Sequence, residues 1–270
     1  MIFLSGEQVL AVLDEKSCIS VMRKALCGLE QGKGEQYLRT PFKLPGGDIF
    51  AFMPAYLDEH TFGAKVLTVF HRNGAAGYPS HQGGVMLFEA AHGSPLGLVD
   101  AAAVTRVRTG AVSALATDLL ARKDASSLSL LGCGVQAESH LKAIRHVRSL
   151  RRVTAWDIDP ARSLDFARRM AAETGLPVEA KSTAREALDG ADIVCTLTPS
   201  KTPILKAEWI REGAHINAVG ACLPKDRELP GALMAKARVY GDARESVLNE
   251  SGDFLIPLRE GLYGEDHLLG

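Results

Sequence analysis

Gly132, Gly134 and Ala137 stand at the spacing by which a chain wraps a pyrophosphate, and Asp157 follows a little over twenty residues after the first of them. An apolar run, Leu128 to Leu131, leads into Gly132-Cys133-Gly134-Val135-Gln136-Ala137, and a helical segment and a second run, Val153 to Trp156, precede the acid. Each residue type answers a chemical need. Gly132 permits a tight turn, Gly134 lets the backbone approach a phosphate, and the small Ala137 lets the new helix pack closely on a sheet. The phosphates then face the amide groups that open this helix, with Val135 and Gln136 in its first turn. Asp157 can accept hydrogen bonds from both ribose hydroxyls, which favours NAD, with NADP as the alternative. A glycine turn alone could be an ordinary turn; the strand before it, the helix after it and the acid beyond favour the dinucleotide reading.

The elements that must position these residues alternate from Leu128 onward. Strands are expected at Leu128 to Leu131, Val153 to Trp156, Val178 to Ala180, Asp192 to Leu197, His215 to Val219 and Arg238 to Tyr240, which specifies an α/β fold with a doubly wound parallel sheet. Such sheets hold ligands at their carboxyl edge, where Thr198 and Val219 fall, so both join the candidate cofactor residues. Upstream, Val9, Leu10, Leu13, Ile19, Met22, Leu26 and Leu29 recur at helical spacing, predicting two helices with Ser5 as a cap. Between Tyr37 and Phe88 short β-rich runs (Ile49 to Phe52, Ala64 to Phe70, Val85 to Phe88) alternate with Gly and Pro clusters, the pattern of a separate α+β unit with an antiparallel or mixed sheet. Ala101 to Ala121 reads as a long buried helix. The expected division is an α+β substrate and dimerisation domain over 1–120, a Rossmann domain over 121–245 and a C-terminal segment over 246–270.

Composition narrows the partners. The 270 residues suffice for two ordinary domains, and a formal net charge of -1 gives no long-range pull toward nucleic acid or an anionic membrane. A small-molecule substrate fits better. No basic segment precedes a signal-like apolar run at the N-terminus and no apolar stretch is long enough to cross a bilayer, so the expectation is a cytoplasmic protein. Five scattered cysteines lack paired metal-ligand spacing, so no metal is expected and they read as small buried side chains in a reducing compartment.

Met53-Pro54-Ala55-Tyr56, Lys65, Pro79-Ser80-His81-Gln82-Gly83, Val104-Thr105-Arg106-Val107-Arg108-Thr109, the glycine turn and His215-Ile216-Asn217-Ala218-Val219-Gly220-Ala221 resemble, in that order, the ornithine cyclodeaminase/mu-crystallin family. The resemblance spans nearly the whole chain. It implies a Rossmann domain, a dimerisation domain whose sheet helps build the substrate pocket, a homodimer, and a small imino or amino acid as substrate. Arg39, Lys65 and Arg108 fall where family members hold the substrate carboxylate, a task suited to bidentate Arg pairs and a compact Lys charge. Taken singly, each cation reads as a solvated surface charge. Ser80 and His81 match positions that approach the nicotinamide-side phosphate and ribose; alone, a His in a Pro- and Gly-flanked loop reads as a turn residue. Asp157-Ile158-Asp159 looks like the Asp-x-Asp of NAD-using cyclodeaminases and departs from the Arg-containing segment of NADP-using mu-crystallins. Asp159, just ahead of Pro160, also reads as a helix cap.

Departures from the family pattern bear on the reaction. Cyclodeaminases carry acids where this sequence has Ala51 and Cys222, and releasing ammonia from a diamine calls for carboxylates to hold the distal ammonium and manage its proton. The resemblance therefore points to an NAD(P)H-dependent reductase of a cyclic or acyclic imino acid, with cyclodeamination, an alanine-dehydrogenase-like reaction and non-catalytic ligand binding as alternatives. Cys133, within the glycine turn, reads as a spectator. Family members continue past Glu250-Ser251-Gly252-Asp253 into helices that return to the dimerisation domain, and here residues 246–270 are expected to lead that way without those helices.

Overall fold

Ser5 accepts the amide of Gln8 while the Gln8 side chain returns to the Ser5 amide, a reciprocal cap that starts α1 (Gly6–Val12). Asp14 does the same work with one partner, accepting the Ser17 amide ahead of α2 (Glu15–Glu30). These helices belong to the first of two compact units, Met1–Thr109 and Gly110–Gly270, in a computed structural model that describes residues 1–57, 61–70 and 72–270. The first unit holds β1 (Ile2–Leu4), β2 (Gly34–Gln36), β3 (Thr40–Lys43), β4 (Ile49–Leu57), β5 (Thr61–Val69), β6 (His81–Glu89) and β7 (Pro95–Asp100). They form one mixed sheet in the order β1-β7-β6-β5-β4-β2, with β3 also paired to β4. Among the described residues only the β1 to β7 pairing of this sheet is parallel.

Strand periodicity divides this sheet into two faces. The register Ile49↔Val69, Ala51↔Leu67 and Met53↔Lys65 puts these six side chains on one face, where Ala51, Leu67 and Val69 are buried. Leu57 has the same parity, and α2 lies against it so closely that a Cβ at Gly28 would come 2.8 Å from its Cδ1. The opposite face carries Phe50, Phe52, Tyr56 and Phe62, with Phe62 stacked on Phe88 at 5.3 Å. Phe42 of β3 stands 6.0 Å from Phe50.

The second unit is built from β8 (Ser127–Leu131), α4 (Val135–Ile144), β9 (Arg152–Trp156), α5 (Pro160–Thr174), β10 (Val178–Ala180), α6 (Ala184–Leu188), β11 (Ile193–Thr196), β12 (His215–Ala218), α7 (Gly231–Met234), α8 (Arg244–Glu250) and α9 (Gly252–Arg259). All its strands are parallel, in the order β10-β9-β8-β11-β12. Numbered within the unit this is 3-2-1-4-5, so the order reverses between β8 and β11, the crevice where doubly wound sheets take their ligands. Five fully buried strand residues, Leu130, Val153, Ala155, Ile193 and Val194, line its interior. That is the apolar run a sheet covered on both faces requires.

The long helix α3 (Ala101–Leu120) contains the division between the two units, which falls after Thr109. The reason is packing in the second half of α3. A Cβ at Gly110 would lie 2.3 Å from the Ser139 hydroxyl, Ser113 bonds the buried His140 at 2.9 Å, and Thr117 accepts the Asn217 side chain at 3.0 Å. Arg148 then caps the end of the helix by donating to the carbonyls of Thr117, Ala121 and Arg122.

One expectation changes. Arg238 to Tyr240 adds no strand to the sheet, because Val239 pairs by an isolated bridge with Leu268 and not with the edge strand β12. Residues 246–270 lie within the second unit, and Phe254 and Leu268 belong to its core cluster with Leu131, Val194 and Leu233. Burying those two apolar side chains fixes the segment in place.

Candidate functional site

Gly132 adopts a left-handed backbone, φ 98°, which the turn requires. Its amide donates to the carbonyl of Trp156 at 2.8 Å, and a Cβ there would lie 2.9 Å from Thr198 Cγ2 and 3.0 Å from the Leu197 carbonyl. The glycine therefore serves close packing between the ends of β8 and β11. Gly134 has a different use. It occupies the N-cap of α4 without any side-chain cap, and a Cβ there would meet nothing within 4 Å. Open space thus lies over the positive end of the helix, and fully buried Ala137 packs its first turn inward. These features fit a dinucleotide pyrophosphate.

Asp157, nearly buried, accepts the Cys133 amide at 2.9 Å through one carboxylate oxygen and the Asp159 amide at 3.0 Å through the other. It joins the glycine turn to the end of β9, and each oxygen keeps a second lone pair for a ribose hydroxyl. Asp159 accepts the Ala161 amide at 3.0 Å, so its side chain serves as the cap of α5, with Pro160 following. Two carboxylates in this segment disfavour a 2′-phosphate. Burial pushes the Cys133 thiol up to about 12, which leaves it protonated and inert at neutral pH.

Thr198 and Val219 lie at the carboxyl edge, as placed from sequence, and both are engaged by protein. The Val219 amide donates to the Thr196 carbonyl at 3.1 Å. Thr198 donates its amide and its hydroxyl to one oxygen of Glu228, at 2.7 and 2.6 Å, and the other oxygen accepts the Gly220 amide at 2.8 Å. Sequence reading passes over Glu228, since an acid beside Leu229 and Pro230 belongs to no motif or period. It is wholly buried, and that burial, opposed by its hydrogen bonds from Thr198, pushes its carboxyl up to about 7. Asp253, also buried and pushed up to about 6, accepts the backbone amides of Glu228 and Leu229 at 2.8 Å each.

The first unit brings Arg39, Lys65 and Arg108 into one electrostatic neighbourhood. Lys65 sits in mid-strand on β5, opposite Met53 on one side and Val85 on the other. Burial, then the Arg108 and Arg39 guanidinium groups, lower its ammonium to about 8. Positive charges within electrostatic reach of a partly buried lysine disfavour its protonated form, and a bound anion would offset that cost. Beside them the buried Ala51 methyl packs with Leu67 and Val69. Ser80 and His81, both exposed, stand at the start of β6, where the Ser80 hydroxyl pairs with His81 Nδ1 at 2.9 Å. Asn73 holds the preceding loop by donating to the Pro79 carbonyl at 2.9 Å. Cys222 is exposed, its thiol 3.6 Å from the Gly220 carbonyl.

The sequence profile of the ornithine cyclodeaminase/mu-crystallin family matches residues 2–268. Mouse ketimine reductase mu-crystallin is 38% identical over 260 residues, covering 94% of this chain and 82% of that protein. Among solved structures, the Δ1-pyrroline-2-carboxylate reductase of Thermococcus litoralis, determined in complex with NADH and L-proline, superposes with a TM-score of 0.96 at 35% identity, covering 99% of this chain and 84% of that one. An archaeal alanine dehydrogenase dimer with bound NAD superposes with a TM-score of 0.93 at 29% identity, covering 99% and 83%.

Proposed function

This chain belongs to the ornithine cyclodeaminase/mu-crystallin family, and we propose that it is an NAD(P)H-dependent reductase of a small imino acid, such as pyrroline-2-carboxylate or piperideine-2-carboxylate, yielding the L-amino acid. The observation that carries the proposal is Lys65, half-buried and depressed to about 8 beside Arg39 and Arg108. Positive charge so placed suits the binding of an anion, and an α-carboxylate is the one these substrates share. Similarity to the mouse ketimine reductase and to the Thermococcus reductase bound to NADH and L-proline supports the same chemistry.

In this reading Arg39 and Arg108 anchor the carboxylate through their planar donor forks and so orient the imine carbon. Lys65, brought down to about 8, gives a hydrogen bond or a proton to the imine nitrogen, making the carbon more electrophilic. Gly132, Gly134 and the first turn of α4 hold the dinucleotide phosphates, Asp157 holds the ribose, and Ser80 and His81 contribute on the nicotinamide side. The bound dinucleotide supplies the hydride. Asp157 and Asp159 favour NADH, with NADPH as the alternative. Cyclodeamination is disfavoured because Ala51 is buried among apolar side chains, where no carboxylate can receive a distal ammonium.

We further propose a homodimer and a cytoplasmic setting. The aromatic face of the first sheet leaves Phe42, Phe52, Tyr56 and Phe62 between 38% and 51% exposed, surface that a second copy of the chain would cover. All five cysteines are unpaired, in keeping with a reducing compartment.

The test is oxidation of NADH by purified protein with pyrroline-2-carboxylate or piperideine-2-carboxylate, followed by nicotinamide absorbance. Turnover with either supports the proposal. Normal cofactor binding without turnover of any small ketimine defeats it, as does release of ammonia from ornithine with no added reductant.

A further inference from the structure

The sheet ladders already fix the strands of the second unit, with Thr196 paired to both Leu131 and Ala218. What they leave unfixed is the chain just beyond the strands, and there a single buried carboxylate gathers the ends. Glu228 takes two hydrogen bonds from Thr198 on one oxygen and one from Gly220 on the other. Thr198 in turn bears on the glycine turn, its Cγ2 2.9 Å from where a Gly132 Cβ would stand. Gly220 is pressed from the other side, since a Cβ there would lie 2.1 Å from the Thr198 carbonyl oxygen and 2.5 Å from Glu228 Oε2. Asp253 of α9 then holds the Glu228 backbone in place.

Burying an acid completely is costly unless hydrogen bonds answer it. Three donors converge on this one, and they come from the segments that follow β11 and β12. Resting on the reading that this unit binds a nicotinamide dinucleotide, we infer that Glu228 is a positioning residue for the cofactor, holding Thr198 against Gly132 and so setting the shape of the phosphate cradle. With no exposed surface, it acts through Thr198 and touches no ligand.

Glutamine has the shape of glutamate but cannot do this work. Its amide nitrogen must replace one of the two oxygens, where it faces either the Thr198 amide or the Gly220 amide, and two donors then meet. One loop end is released whichever way the side chain turns. Thr198→Val is the milder counterpart, because it keeps the shape that packs on Gly132 and the backbone amide but loses the hydroxyl.

The experiment measures NADH affinity by fluorescence titration without substrate, and then the KM for NADH and kcat with pyrroline-2-carboxylate. Glu228→Gln is expected to raise the NADH Kd and KM by about tenfold, equivalent to about 1.4 kcal/mol, with kcat at saturating NADH within about twofold. Thr198→Val is expected to raise the Kd by about threefold, the loss of one hydrogen bond of modest strength, while the protein still folds with a melting temperature only a few degrees lower. A Glu228→Gln protein that folds and binds NADH as wild type does overturns the inference, and so does a fall in kcat with unchanged NADH affinity. If that variant fails to fold, Thr198→Val decides: a raised Kd supports the inference and an unchanged one overturns it. Wild-type protein that does not bind NADH removes the dinucleotide reading itself.

Discussion

Replacing Lys65 by methionine is expected to stabilise the ligand-free protein while abolishing its activity. An unfolded chain holds the Lys65 proton with the ordinary value of 10.5, whereas burial and the two guanidinium groups bring it to about 8 in the folded protein. At about 1.4 kcal/mol for each tenfold, the protonated folded state carries a penalty of about 3 kcal/mol. The sign follows from linkage. Below about pH 8 both states are protonated and the folded protein bears the whole penalty; between about 8 and 10.5 it releases the proton first and the penalty shrinks; above 10.5 none remains. Methionine is close to lysine in length and carries no charge, and repacking costs it up to about 1 kcal/mol. The net gain at pH 7 is therefore about 2 kcal/mol. Urea titrations at pH 7 and pH 10.5, read by circular dichroism, check this: Lys65→Met should unfold at higher urea than wild type at pH 7, and the advantage should vanish at pH 10.5. In parallel, NADH oxidation with pyrroline-2-carboxylate should fall at least about a hundredfold, the scale of losing a positioned proton donor. A Lys65→Met protein no more stable than wild type at pH 7, or equally advantaged at both pH values, refutes the reasoning about the cluster. Unchanged turnover refutes its role.

The remaining expectations follow from the same two neighbourhoods. Because the protonated Lys65 attracts a carboxylate, the KM for pyrroline-2-carboxylate should be flat below about pH 8 and rise above it as the charge is lost. Lys65→Arg, which stays charged, should remove that inflection; a KM indifferent to pH between 7 and 9.5 counts against carboxylate binding by Lys65. Gly134→Ala should leave the melting temperature unchanged or slightly raised, since its Cβ meets nothing within 4 Å. The same methyl intrudes where a pyrophosphate must approach, so the NADH Kd should rise by about tenfold or more; unaltered affinity would place the phosphates elsewhere.

Much of the nucleotide unit is legible in the chain because its rules are local. Gly132, Gly134 and Ala137 are spaced by the needs of one turn and one helix start. The alternation of apolar strands with helices also specifies a parallel sheet without knowledge of any distant contact. Asp159 before Pro160 declares a cap by residue type alone, and the Asp159 side chain does cap α5. The first unit is legible in outline for a similar reason, since strand periodicity and Gly or Pro breaks mark its runs. Which face of that sheet would carry Lys65, and which the phenylalanines, depends on the register Met53↔Lys65, a property of pairing between strands.

Tertiary structure alone decided the rest. Gly110 comes so close to Ser139 that a Cβ there would lie 2.3 Å from its hydroxyl, a contact no periodicity within α3 can signal. Arg238 to Tyr240 has the composition of a strand, yet Val239 pairs with Leu268 because hydrogen-bonding partners are assigned in space and not along the chain. Glu228 is the sharpest case. Nothing in its neighbours along the sequence distinguishes it from a surface acid, and its significance comes from burial and from two loop ends that reach it after separate crossovers. Sequence fixes what is dictated by adjacent residues, such as turns, caps and periods; the environment of a charge is made by residues far apart in the chain, and only the folded molecule assembles it.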